Sequence, residues 1–175
     1  MTDWSQIVEQ HGPAVWRMAA RLLNNEADAA DCFQRTFISA LEVSRKEAVR
    51  NWPALLKRLV TARAIERLRQ RQQDTNRLIA LPREAADRRA IDPAEAAIAG
   101  ELADRLREAL AEIDPKQAQV LCLACLEGHS YQEIADQLGM PVSSVGVLVN
   151  RGRLALRERL QPSAPAAEHF GETQR

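Results

Sequence analysis

The sequence predicts an all-α protein of two small helical domains joined by a flexible linker, the second domain containing a helix-turn-helix. Three observations carry that prediction. Ala, Leu, Arg, Glu and Gln dominate the 175 residues, and these side chains lose little freedom in a helix. Apolar residues recur at spacings of three and four, while the runs of Val, Ile, Thr and Tyr that mark strands are scarce. Between residues 73 and 93 the periodicity fades and Pro82 and Pro93 punctuate the chain, which separates an N-terminal block from a C-terminal one.

The first helix is expected over 7–23, with Val8, Val15, Met18, Ala19 and Leu22 as its apolar pattern and an early interruption at Gly12 and Pro13. Asn24 and Asn25 mark a turn. A second helix runs from about Glu26 to Val43 with Ala30, Phe33, Phe37 and Leu41 as its inward stripe. Asn51 caps a third helix that holds Pro53 in its first turn, where a missing N–H costs nothing, and that continues to about Gln72. Residues 1–72 thus form the first domain. Residues 73–93 read as the linker, with a short helix inside it. The second domain spans 94–160, and the tail 161–175, with two prolines and no periodicity, reads as disordered.

The sharpest local signal lies at 130–160. Ser130 caps a helix and Glu133, three residues on, completes a capping box. Ile134 and Leu138 point inward, Ala135 leaves room for a crossing helix, and Gly139 ends the segment in a left-handed conformation. A longer helix follows Pro141, with Val145, Val149, Gly152, Leu156 and Leu160 inward and Ser143, Gly146, Val147, Asn150, Arg151, Arg153 and Arg157 outward. A short helix, a glycine turn and a longer helix with a polar outer face describe a helix-turn-helix, whose second helix lies in the DNA major groove.

Charge supports that direction. The totals cancel, 24 basic against 24 acidic residues, but the distribution is uneven. Nine basic side chains fall between Arg45 and Arg71 against Glu47 and Glu66, and Arg151, Arg153, Arg157 and Arg159 form a second run. Two basic patches on a neutral chain fit local phosphate contact. The first residues lack a basic start followed by an apolar run, and no stretch approaches the ~18 apolar residues of a membrane span. Three cysteines, Cys32, Cys122 and Cys125, are too few for a disulfide framework, so a cytoplasmic setting is expected. Cys122, Cys125 and His129 have metal-like spacing but no fourth ligand nearby, so both cysteines are expected as small buried hydrophobes without metal. His11 and His169 have no partner at recognisable spacing, and there is no phosphate-binding glycine loop. Neither catalysis nor a cofactor is expected.

Several of these segments resemble the extracytoplasmic-function (ECF) sigma factors of the sigma-70 family. The runs EIDPKQAQVL at 112–121 and LEGHSYQEIA at 126–135 are similar to the domain that binds the upstream (−35) promoter element and the flap of the polymerase β subunit. DAADCFQRTF at 28–37 is similar to the helix that grips the β′ clamp, and LLKRLVTARAIERLR at 55–69 to the helix that melts the start-proximal (−10) element. The resemblance implies a factor that carries core RNA polymerase to promoter DNA, and it leaves an anti-sigma factor open as a third partner. It implies Asp31 and Gln34 as polymerase contacts with Phe37 anchored beside them. It implies Arg63, Arg67 and Arg71, four apart on one helix face, along the opening DNA, and Ser144, Asn150, Arg151 and Arg153 at the upstream duplex. The chain departs from the pattern at Arg35, often an acid in the family, at Ala62 and Glu66, which replace an asparagine and an aspartate, and at Gly146 and Leu148, frequently basic. Two alternatives stand beside this reading: a helix-turn-helix regulator that acts without polymerase, and a diverged sigma-like protein with weak upstream recognition.

Overall fold

The computed structural model describes residues 3–79 and 94–161. Among these every regular element is helical: α1 (Trp4–Leu23), α2 (Glu26–Lys46), α3 (Trp52–Ile79), α4 (Ala94–Glu112), α5 (Pro115–Leu121), a π-helical segment (Cys122–Leu126), α6 (Tyr131–Leu138) and α7 (Val142–Leu160). The start of α1 is fixed by Asp3, whose carboxylate accepts from the Gln6 amide. Its end is fixed by Asn24 in the left-handed region, φ 46°. The expected interruption does not occur: α1 runs unbroken through Gly12 and Pro13. Proline removes one hydrogen bond there, but Ile7, Val15, Met18 and Leu22 are buried on both sides of it and hold the helix in place. Gly12 lies against the Phe33 ring, where an added Cβ would stand 3.6 Å from Cζ.

The inward face of α2 also differs from the expected stripe. Ala29, Cys32, Thr36, Ser39 and Ala40 are the buried residues, while Ala30, Phe33, Phe37 and Leu41 are half-buried on its flank. Small side chains let α2 come close to α3. The Thr36 hydroxyl donates to the Cys32 carbonyl at 2.8 Å, and the Cys32 thiol donates to the Val60 carbonyl at 3.7 Å, so burial leaves neither group unsatisfied. Asn51 caps α3, as expected, by accepting from the Ala54 amide at 3.0 Å. Trp4 and Trp52 meet edge to face, with centroids 5.2 Å apart, and pin the starts of α1 and α3 together.

α3 is 28 residues long and passes Gln72 to reach Ile79. Residues 73–77 are polar and exposed, so over these positions no apolar stripe reveals the helix. The first seven residues of the expected linker, 73–79, are the end of α3; the rest of that linker, and the tail beyond Gln161, lie outside the described residues.

The second half packs α4, α5, α6 and α7 around Leu110, Ile113, Val120, Leu123, Ile134, Val145 and Val149. Asp114 caps α5 through the amides of Lys116 and Gln117. The helix then widens by one residue per turn: the Glu127 amide reaches back to the Cys122 carbonyl. That widening turns Cys125 outward while Cys122 stays buried, so the expectation of two buried cysteines holds for only one. The capping box at Ser130 and Glu133 forms in full, and Gly139 takes φ 62°. α3 also packs on α4, α5 and α6, which makes the apolar core continuous across both halves.

Candidate functional site

With Ala29, Cys32, Thr36 and Ala40 turned inward, α2 presents Asp31, Gln34, Arg35, Ile38 and Glu42 outward on one helical line. Asp31 pairs with Arg35 at 2.9 Å, with the two side chains 52% and 59% exposed. An ion pair that open to water adds little to stability, so both groups remain available to a partner. Ile38, 57% exposed, stands in the middle of the line. Sequence reading missed it, although its spacing of four from Gln34 and three from Arg35 places it on the same face. Phe37 is half-buried beside this surface and packs at a tilt against Phe33, with a centroid distance of 4.9 Å.

Arg63, Arg67 and Arg71 do share one line of α3, and that line faces α2. Arg67 Nη2 lies 2.9 Å from Asp28 Oδ1, and Arg71 pairs with the other oxygen of the same carboxylate. Arg71 also donates to the Leu23 carbonyl at 2.8 Å, at the C-terminus of α1. Burial pushes the Asp28 carboxyl up, but hydrogen bonds and charge from Arg67 and Arg71 outweigh it and hold the group below its ordinary value. Arg63 pairs with Glu66 at 2.8 Å and donates to Ser39 Oγ at 3.0 Å. All three arginines keep about a third of their side-chain surface open. Asp28, the organising acid, was not among the residues singled out from sequence.

On α7 the buried line is Val145, Val149 and Gly152. Asn150 lies exposed on the far side with Arg151 and Arg153 exposed on either flank, while Ser144 is half-buried. Arg153 Nη2 lies 3.9 Å from the exposed Cys125 Sγ. Pro141 precedes the helix without a side-chain cap, so the first turn offers amides and serine hydroxyls to whatever approaches it. The arrangement provides two surfaces suited to macromolecules: a mixed polar and apolar face on α2 beside the arginines of α3, and a polar helix face on α7.

Comparison with known proteins matches two segments of the chain. Residues 7–73 match the Sigma-70 region 2 family model and residues 103–156 match Sigma-70, region 4. The chain is 32% identical over 175 residues to the ECF RNA polymerase sigma factor SigE of Mycolicibacterium smegmatis, covering 99% of this chain and 65% of that protein. It is 26% identical over 168 residues to SigW of Bacillus subtilis, covering 90% and 89%. It is 30% identical over 152 residues to SigC of Mycobacterium tuberculosis, covering 85% and 78%. In fold it is similar to a sigma factor RpoE crystallised with the anti-sigma factor NepR, from Bartonella quintana, with TM-score 0.54 and 22% identity over 94% of this chain and 100% of that one. With both regions present in order and joined in one helical body, the chain belongs to the ECF RNA polymerase sigma factors of the sigma-70 family.

Proposed function

We propose that this chain directs core RNA polymerase to specific promoters and initiates transcription by binding and melting DNA, catalysing no reaction itself. The observation that carries the proposal is the pairing, in one chain, of the exposed α2 face in region 2 with an exposed recognition-helix face in region 4. Asp31 and Gln34 meet the β′ clamp, with Ile38 as the apolar anchor one turn further along the same face. Region 4 docks on the β flap. Arg63, Arg67 and Arg71 meet the backbone of the opening strand, where phosphate replaces Glu66 on Arg63 and shares the other two with Asp28. Melted DNA offers phosphates and unstacked bases, which a line of cations suits. Ser144, Asn150, Arg151 and Arg153 approach the upstream duplex. A regulator acting without polymerase would leave the α2 face without a purpose.

The site of action is the bacterial cytoplasm, where polymerase works. No helix among the described residues is long and apolar enough to cross a membrane. The Bartonella protein was crystallised with an anti-sigma factor, and an anti-sigma partner is proposed here on that likeness.

The test is a double variant, Asp31→Ala with Gln34→Ala. It should fold normally and bind core polymerase at least about thirty-fold more weakly, the equivalent of about 2 kcal/mol for lost interfacial polar contacts. Core binding as tight as that of the unaltered chain would remove the assignment of α2.

A further inference from the structure

Directly opposite the buried line of α7, the outermost side chains are Ser143, Val147, Asn150 and Leu154, at successive spacings of four, three and four. Val147 is 49% exposed and contributes nothing to the core cluster. Residues 142–149 contain no charged side chain at all. The cations begin at Arg151, on one flank of the line, and Arg153, on the other.

A recognition helix presents its N-terminal residues to base edges in the major groove. Guanine is read there mainly by Arg or Lys and cytosine by Asp or Glu, and the first two turns of α7 hold none of these. The outermost line offers instead Val147 in the second turn, an exposed branched apolar side chain that fits the C5 methyl of thymine, and Asn150 at the start of the third, a carboxamide whose donor and acceptor fit adenine N6 and N7. Three helical residues rise about 4.5 Å, close to the ~3.4 Å between base pairs, so Val147 and Asn150 suit neighbouring positions.

We infer that Val147 reads a thymine methyl group and Asn150 an adjacent adenine, so that α7 selects A·T pairs in the upstream element while Arg151 and Arg153 hold the flanking phosphates. The inference rests on the proposal that α7 meets promoter duplex.

The experiment uses holoenzyme reconstituted from core polymerase and the full chain, on a promoter located by mapping its transcript start. Each thymine of the protected upstream segment is replaced singly by deoxyuridine, which removes only the methyl group, and each adenine by 7-deazaadenine, which removes only N7. One deoxyuridine should weaken binding about fourfold, the worth of one buried methyl, and holoenzyme carrying Val147→Ala should be indifferent to it. A neighbouring 7-deazaadenine should weaken the unaltered holoenzyme and leave Asn150→Ala indifferent. An upstream segment that is protected yet insensitive to every deoxyuridine would overturn the inference while leaving promoter binding by α7 in place, and that scan needs no variant. Equal deoxyuridine sensitivity in Val147→Ala would overturn it as well. Absence of any upstream protection would overturn the placement of α7 itself.

Discussion

Asp28 donates its amide to the Asn25 cap of α2 and sets its carboxylate in a nest of two arginines with only 13% of its side chain exposed. Its folded pKa lies below its ordinary value, so its contribution to stability is complete above the unfolded pKa of about 3.9 and is lost as pH falls through the folded one. Asp28→Asn should therefore cost about 1.5–3 kcal/mol at neutral pH, the usual range for hydrogen bonds to charged groups. It should also flatten the acid limb of the stability curve, which chemical denaturation from neutral to acid pH would measure. An unchanged acid limb would show that the pair with Arg67 and Arg71 adds nothing. The cysteines give a second check. Burial pushes the Cys32 thiol up to about 11 and Cys122 up to about 12, whereas Cys125 is exposed beside Arg153. A thiol reagent should modify one cysteine quickly in the native chain and all three after unfolding. Sequence could not separate Cys122 from Cys125, because the π turn between them shifts the helical phase and no local residue pattern announces it.

At the scale of elements, two glycines on α7 have opposite roles. A Cβ on Gly152 would fall 2.6 Å from Leu121 Cδ1 and 3.3 Å from Gln117 Cβ, so α5 and α7 cross at that point only because the side chain is missing. A Cβ on Gly146 would find the Tyr131 ring at an ordinary 3.8 Å. Gly152→Ala should destabilise by about 1–3 kcal/mol through overpacking, and Gly146→Ala should stabilise by about 0.5–1 kcal/mol through helix propensity. Thermal unfolding of both variants measures the contrast, and the same sign for both would contradict the packing described. The helix-turn-helix was readable from sequence because its determinants are local: Ser130 with Glu133, Gly139, and the inward spacing of Val145, Val149 and Gly152. The α2 face was less so. Thr36 and Ser39 look like solvent residues, yet both hydroxyls are buried, one bonded within its own helix and the other receiving Arg63. The apolar pattern was therefore read one position away, on Phe33 and Phe37, although Asp31 and Gln34 still came out exposed.

Across the whole molecule, the continuous apolar core between the two regions is edged by arginines that end on backbone carbonyls. Arg107 donates to the Arg21 and Leu22 carbonyls at the end of α1, Arg21 to Leu126, Arg69 to Ala111 and Ile113, and Arg58 to Gln137. Lys57 adds an ion pair with Glu127 at 3.1 Å. Cations at helix C-termini complement the helix dipole, but nothing in a one-dimensional pattern says which carbonyl each will find, so this packing was not legible in the sequence. Arg21→Ala with Arg107→Ala should loosen it. Small-angle scattering should show a larger radius of gyration at unchanged helical content, and an unchanged radius would mean that apolar contacts between α3 and the second half suffice. Initiation belongs to the same scale, because only both regions acting together can place polymerase on a promoter. It is tested most directly by adding the purified chain to core polymerase on a genomic template and mapping the 5′ ends of the transcripts. A sigma factor should give new, discrete start sites that appear only with the chain and share a common upstream and start-proximal sequence. Transcripts starting at the same scattered positions with and without it would show that the chain does not direct initiation.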